Sequence, residues 1–187
     1  MSISQPASVE DLLNFRLSRL LASSGSMVTL LCEGRYGVTR REWRLVCILS
    51  EHGATSPSAL AEHAHLERAR VSRHVADLVH KKLVVRVPVQ GDRRRALLDL
   101  TERGRKLHSE LFPESVRFNN LVLKALSPAE LAAFDTALAR LTEAAERISK
   151  SHALPEKADR RHGGSRRFAP AAGSELVRAL GPDTACS

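Results

Sequence analysis

Between Thr39 and Leu100 the hydrophobic pattern runs helix, short helix, helix and then two strands, and this succession restricts the fold more than any other feature of the chain. Thr39-Arg40-Arg41-Glu42 has capping-box spacing, with a hydroxyl and a carboxylate each placed to satisfy the other's amide. Trp43, Val46, Cys47, Ile48 and Leu49 supply the buried side of the helix that follows, and His52-Gly53 stops it. Ser56-Pro57 starts a second, short helix, since proline at the first helical position loses no hydrogen bond. Leu60 and Ala61 face inward on it, and it ends near His63 to His65.

A third helix is predicted from about Glu67 to Lys81. Val71, Val75, Leu78 and Val79 recur at steps of three and four on one face, while Arg70, Arg73, His74 and Asp77 occupy another. The polar face is basic mainly in its first two turns, and Asp77 further along is expected to pair with an arginine. Val-rich Leu83–Val89 reads as a strand, with Pro88 suiting an edge, and Ala96–Leu100 reads as its partner. Gln90-Gly91-Asp92 supplies the turn, and Arg93, Arg94 and Arg95 charge it. Helix, short helix, basic helix and hairpin make a winged helix-turn-helix, in a fold that is otherwise mainly α.

The flanks are helical. Ser8-Val9-Glu10-Asp11 has the spacing of a helix start, and a broad apolar stripe follows from Leu12 to Leu31. Ser23-Ser24-Gly25-Ser26 interrupts it, which predicts a kink or room beside the helix, and Gly34 and Gly37 end the segment. Thr101 caps a helix through Leu107, Leu111 and Phe112, where Pro113 predicts a kink or break. Ser127-Pro128-Ala129-Glu130 is another capping box. Behind it Leu131, Phe134, Leu138, Leu141, Ala145 and Ile148 form a narrow seam suited to packing on another helix, such as one from a second subunit. From about Ser151 the pattern fails, and residues 151–187 are expected to form a basic, disordered tail.

The formal net charge of +8 favours a polyanionic partner. No apolar run is long enough for a transmembrane helix and the N-terminus lacks a signal pattern, so a cytoplasmic protein with no membrane partner is expected. The three cysteines, Cys32, Cys47 and Cys186, are odd in number and widely spaced, which suits a reducing compartment. No CxxC pair exists, and His63 and His65 diverge, so no metal or cofactor is expected. The chain carries no GxSxG, HExxH or glycine-rich phosphate loop, and no enzyme is expected.

Thr39-Arg-Arg-Glu-Trp, Leu60-Ala61-Glu62-His63, Arg70-Val-Ser-Arg-His-Val-Ala-Asp-Leu-Val and Gly91-Asp-Arg-Arg-Arg-Ala-Leu-Leu-Asp-Leu-Thr-Glu-Arg-Gly-Arg resemble the MarR family of bacterial transcriptional regulators. The resemblance spans roughly Val9 to Ile148, and the Asp-Arg-Arg wing followed by Leu-Thr-x-x-Gly is its most specific part. Arg19, Cys32-Glu-Gly-Arg-Tyr-Gly and Arg40-Arg-Glu-Trp are further similar to members that control catabolism of aromatic acids. The resemblance implies a homodimer, with residues 8–38 and 101–150 as a helical dimerisation region and 39–100 as the DNA-binding domain. It also implies a ligand pocket between the two regions. The tail has no counterpart in the family pattern.

On this reading Arg70, Ser72, Arg73 and His74 form the major-groove set, because an arginine can donate two bonds to a guanine edge. Arg68 is placed to reach a phosphate, and Ser56 and Ser58 open a helix where hydroxyls and free amides suit phosphate. By resemblance Arg93 enters the minor groove and Asp92 holds the wing tip through an arginine; Arg94 and Arg95 are the remaining wing cations. Against this stands the plain reading of a solvated helix and a charged hairpin tip. For an effector, Arg16 and Arg19 offer guanidiniums to a carboxylate, with Tyr36 and Trp43 as lining; a salt bridge and a core tryptophan are the ordinary alternatives. The expected function is a regulator, in all expectation a repressor, of a pseudo-palindromic double-stranded operator, released by a small aromatic or phenolic acid. The alternatives are a redox sensor using Cys32 or Cys47, and a basic DNA-binding protein without sequence preference.

Overall fold

The computed structural model describes residues 3–89 and 92–151; of Asp92, Arg93, Arg94 and Arg95 it describes the backbone. The order of elements is α1 (Leu13–Tyr36), α2 (Arg40–His52), α3 (Pro57–His63), α4 (Arg68–His80), β1 (Val84–Val89), β2 (Asp92–Leu100), α5 (Glu102–Leu123) and α6 (Pro128–Lys150). One compact unit runs to Ala125 and a second begins at Leu126. The architecture is the expected one, mainly helical with one antiparallel hairpin arranged as a winged helix-turn-helix.

Local chemistry explains most of the boundaries. Thr39 caps α2 as its spacing requires, with Glu42 N–H donating to Thr39 Oγ1 at 3.2 Å and Thr39 N–H donating to Glu42 Oε2 at 2.6 Å. Ser56 Oγ accepts from Ala59 N–H at 3.2 Å, and Thr101 Oγ1 accepts from Gly104 N–H at 3.0 Å. Gly37 closes α1 in the left-handed region, φ 63°, where a Cβ is costly. α4 closes in a Schellman arrangement: Lys82 N–H donates to Val79 O and Leu83 N–H to Leu78 O. Its left-handed position, φ 59°, is held by Lys82 rather than by glycine.

β1 and β2 pair from Val84↔Leu100 to Pro88↔Ala96, with an irregularity before Val89↔Asp92. On the other side of β2, Thr55 between α2 and α3 exchanges both backbone bonds with Leu98, at 2.9 and 2.8 Å. A third, one-residue strand thus ties the helix-turn-helix to the wing. The core is aliphatic: Leu45, Val46, Leu49, Leu60, Val71, Val75, Leu78, Leu98 and Leu111 are buried together, joined by Val38 and Cys32 from the end of α1. Each buried leucine contributes about 1.5–3 kcal/mol by leaving water, which makes this cluster the foundation that orients α4 and the wing.

Four expectations are corrected. Ser8 to Asp11 opens a 3₁₀ turn, Val9–Asp11, and α1 begins only at Leu13; the buried Asp11 carboxylate collects Ala7 N–H, Ser8 N–H and the Ser8 hydroxyl on one oxygen, which favours the tight turn. Ser23 to Ser26 does not interrupt α1, because the hydroxyls fold back onto the helix's own carbonyls, Ser24 onto Leu20 O at 2.7 Å and Ser26 onto Ser23 O at 2.8 Å, while the expected room beside the helix is present at Gly25. Pro113 does not break α5; it sits on the exposed side, where water can take the freed carbonyl, while Leu107 and Leu111 anchor the helix. Asp77 has no ion pair among the described residues: Arg73, four residues before it on the same helix, is exposed to solvent like Asp77 itself, and Arg70 pairs with Glu67.

One interaction was invisible in the pattern. Glu42, at the cap of α2, is also the buried partner of Lys81 at the end of α4, whose ammonium donates to both carboxylate oxygens at 2.8 Å. Burial alone would push this carboxyl up; the bonds from Lys81 and Thr39 outweigh it and hold it below its usual range.

Candidate nucleic-acid interface and ligand clefts

α4 presents two chemically distinct faces. Val71, Val75 and Leu78 seat it on the core, which leaves Arg68, Arg70, Ser72 and Arg73 exposed and His74 half-buried over its first two turns. The Arg70 guanidinium lies 3.8 Å from Glu67, with both side chains half exposed, a pairing weak enough to be given up to a base or phosphate. Ser56 spends its oxygen on the α3 cap, while its hydroxyl proton is not used in that bond, and Ser58 beside it is exposed. Arg93, Arg94 and Arg95 follow Asp92 along the backbone of β2; their side-chain roles, and the pairing expected of Asp92, lie outside the described residues.

The four residues proposed for an effector fall in three separate concavities. Arg16 and Arg19 flank a recess of about 50 Å³ beside Glu10, Asp11 and Phe15. That is far below the roughly 300–1,000 Å³ of ordinary ligand sites. Trp43 lines a cleft of about 460 Å³ between α1, α2 and α5, with Arg40, Arg44, Cys47, Phe118 and Asn119. Tyr36 lines another, of about 670 Å³, between the ends of α1 and α4 and the start of α5.

Arg40 is the residue that pattern reading passed over. It appeared only as part of a cap. The structure lays its guanidinium directly on the backbone of Gly25, in the space a Cβ would fill. No carboxylate pairs with it among the described residues. An unpaired guanidinium beside Trp43 and Phe118 is chemically suited to a planar carboxylate. The glycine in the middle of α1 was the available signal, because only a close approach explains glycine in a helix interior. Trp43 itself is nearly buried, and His108 lies between it and Phe112, tilted on the first and stacked on the second, with ring centroids 5.6 and 5.1 Å apart; burial lowers the pKa of His108.

The thiols are poorly placed for redox chemistry. Burial first, and then the neighbouring Glu33, pushes Cys32 up to about 11, while burial and then Cys32 push Cys47 up to about 12. In the folded protein at pH 8 both should react with iodoacetamide at least about 100-fold more slowly than an unhindered thiol, Cys47 the more slowly of the two. Peptide mapping of alkylation at timed intervals checks this; rapid labelling of either residue would reopen the redox reading. Among the described residues no three metal-ligating side chains converge. The His63 ring stacks on His52 at 4.1 Å, and His65 sits in a left-handed turn, φ 50°. No described helix is long and apolar enough to cross a membrane.

The MarR family model matches residues 36–95, the winged helix-turn-helix from the end of α1 to the wing. An uncharacterized protein of Mycobacterium tuberculosis is 33% identical over 127 residues, which cover 68% of this chain and 85% of that protein. The chain belongs to the MarR family. Another relative is the HTH-type transcriptional repressor NicR of Pseudomonas putida, 27% identical over 109 residues, 58% of this chain and 69% of NicR. Among solved structures, Bordetella bronchiseptica BpsR, whose DNA binding is regulated by 6-hydroxynicotinic acid, superposes with a TM-score of 0.65 at 22% identity over 74% of this chain and 98% of BpsR. Family and fold are therefore those of MarR transcriptional regulators, and the exposed basic turns of α4 lie within the matched winged helix-turn-helix.

Proposed function

We propose that this protein is a homodimeric repressor of a pseudo-palindromic operator, released when a small aromatic or phenolic acid occupies the cleft of Arg40 and Trp43. The observation that carries the operator half is the exposed arginine face of α4, rigidly backed by the buried Val71, Val75 and Leu78. Arg70, Ser72, Arg73 and His74 read base edges, Arg68, Ser56 and Ser58 hold phosphate, and Arg93 enters the minor groove with Asp92, Arg94 and Arg95 around it. Two-fold symmetry of the protein imposes a palindrome with half-sites about one helical turn apart.

Dimerisation is supported by apolar surface that a lone chain leaves in water. In the first unit Leu12, Phe15, Leu20, Leu21 and Leu30 are exposed; in the second the seam of α6 exposes Phe134, Leu138, Leu141 and Ile148. Residues 8–38 and 101–150 serve as the dimer contact, and 39–100 as the DNA-binding domain. The effector half is supported by the unpaired Arg40 guanidinium in a cleft that Trp43 and Phe118 also line, and by the acid that regulates BpsR. Such a ligand relieves repression only by binding the DNA-incompetent spacing of the recognition helices more tightly.

The test is a titration of DNA flanking the protein's own gene against scrambled DNA, with and without a panel of aromatic carboxylates. Tight, site-preferring binding relieved by one acid is expected. Equal affinity for scrambled DNA would overturn the operator reading in favour of a basic protein without sequence preference. Arg70→Ala and Arg73→Ala are each expected to weaken operator binding by about 1–3 kcal/mol, with relaxed preference at one base position. Gly25→Ala is a sharper probe of the effector half: its methyl must displace the Arg40 guanidinium. Fluorescence and melting should show the acid's affinity reduced roughly tenfold while stability changes by less than about 1 kcal/mol. Unchanged acid affinity would remove Arg40 from the site.

A further inference from the structure

We infer that the cleft between the end of α1, the end of α4 and the start of α5 is a binding site for a small molecule carrying two or more phosphoryl groups. This is separate from the operator and acid sites proposed above and does not depend on either.

Charge is the first observation. Arg35, Lys81, Lys82, Arg103 and Lys106 line this one concavity, and Glu110 is its only carboxylate. Cations repel one another, so a cluster of this kind usually carries interleaved acids. Lys81 has one, the buried Glu42. Arg35, Lys82, Arg103 and Lys106 have none among the described residues. A single monoanion would leave most of that charge unmatched, whereas a di- or triphosphate answers it with several oxygens.

Shape is the second. A volume of about 670 Å³ lies in the range of small-molecule sites. Tyr36, Leu83 and Leu107 give the cleft one aromatic and two aliphatic surfaces for the non-phosphate part of a ligand. The third observation is where the charge is placed. Lys82 occupies the left-handed closing position of α4, where glycine is the ordinary choice and a side chain costs about 1 kcal/mol. Three carbonyls of the last turn of α4, those of Asp77, Leu78 and Val79, already accept from the Lys81, Leu83 and Lys82 N–H groups, which reduces their repulsion of an anion there. Arg103, by contrast, stands in the first turn of α5, the end of a helix that attracts anions.

Operator DNA is not the occupant this geometry fits. The cleft sits at the C-terminal end of α4, roughly 20 Å along its axis from the turns that carry Arg68 and Arg70, at 1.5 Å rise per residue. A duplex held by those arginines lies at the other end of the helix.

The experiment is calorimetric titration of the full-length protein with inorganic tripolyphosphate near physiological salt, with sulfate as the monomeric-anion control. Three proteins are compared: wild type, Arg103→Glu/Lys106→Glu, and Arg160→Glu/Arg161→Glu, which makes the same charge change in the tail. Saturable binding at one tripolyphosphate per chain is expected, with sulfate much weaker. The cleft variant should bind at least tenfold more weakly and the tail variant should match wild type. Equal weakening in both variants would mean that net charge alone attracts the anion, and would overturn the site. Absence of saturable tripolyphosphate binding at millimolar concentration would overturn it as well. Arg103 is in the first turn of α5, where glutamate is favourable, and Lys106 is an exposed helical position that glutamate tolerates, so the cleft variant should keep its far-ultraviolet spectrum. If it does not fold, Arg35→Gln/Lys82→Gln replaces it, with the same tenfold loss expected and retention of full affinity fatal to the proposal.

Discussion

Gly104→Ala is expected to destabilise the protein by at least about 3 kcal/mol, although alanine normally strengthens a helix interior by up to about 1 kcal/mol. A Cβ at this position would overlap the carbonyl oxygen of Leu83 and press on Leu100 Cδ2 at 3.2 Å. The obstacle is backbone and cannot rotate away. That carbonyl also accepts from Thr101 N–H at 3.0 Å, in the turn that starts α5. Moving it would disturb the closing turn of α4, the first residue of β1 and the cap of α5 together. Chemical denaturation of the wild type and variant checks the expectation, with urea midpoint and slope compared. A loss below 1 kcal/mol would show that the approach of α5 to the wing base is more yielding than its geometry implies.

The second large effect concerns Glu42 and Lys81. Lys81→Met should cost about 3 kcal/mol near neutral pH, at the low end for a broken buried pair because the lysine is one-third exposed. It leaves a carboxylate that is 1% exposed without its two charge-assisted bonds. In the wild type the Glu42 carboxyl lies below its ordinary value near 4.5, so its stabilisation is fully present above that pH and is lost as pH falls through the lowered value. In Lys81→Met burial should win and raise the same carboxyl. Its penalty should then be full at neutral pH and shrink as the group protonates, so the gap between the two proteins should narrow as pH falls through the variant's raised value and close only below the wild type's lowered one. Adding Glu42→Gln should recover most of the loss, since an amide oxygen can still accept from Thr39 N–H. A gap between the proteins that is independent of pH would show that Lys81 acts through packing rather than charge.

These two positions also divide what could be read in advance from what could not. Glu42 was legible as a capping residue because a cap is a local device: hydroxyl, carboxylate and amides all fall within four residues. Its partner is far along the chain, and nothing in a helical period indicates which lysine closes over it. Gly104 and Gly25 show the same limit. Each sits in a helix where propensity argues against glycine, yet only the packed structure reveals that one faces a carbonyl and the other a guanidinium. Pro113 and the serines of α1 mark the opposite failure, where local breaking signals were overruled by buried anchors and by hydroxyls returned to the helix backbone.

The candidate interface was legible because α4 is amphipathic in a simple sense. Valine and leucine at three- and four-residue steps dictate which side is buried, and the arginines between them are left to solvent whatever the details of the core. The ligand clefts were not legible, because a cavity belongs to no single element. Arg16 and Arg19 looked like a carboxylate site for being close in sequence, and the fold gives them only a recess of about 50 Å³. Arg40 came to Trp43 and Phe118, and Lys82 came to Tyr36 and Arg103, through the crossing of α1, α2, α4 and α5. Sequence alone thus determined the elements, their caps, the basic face of α4 and the MarR architecture, all of which rest on contacts within a few residues or on a repeating period. Tertiary structure alone decided which charges are neutralised, which glycines are obligatory and where a ligand has room, because those depend on distances between residues that the chain keeps far apart.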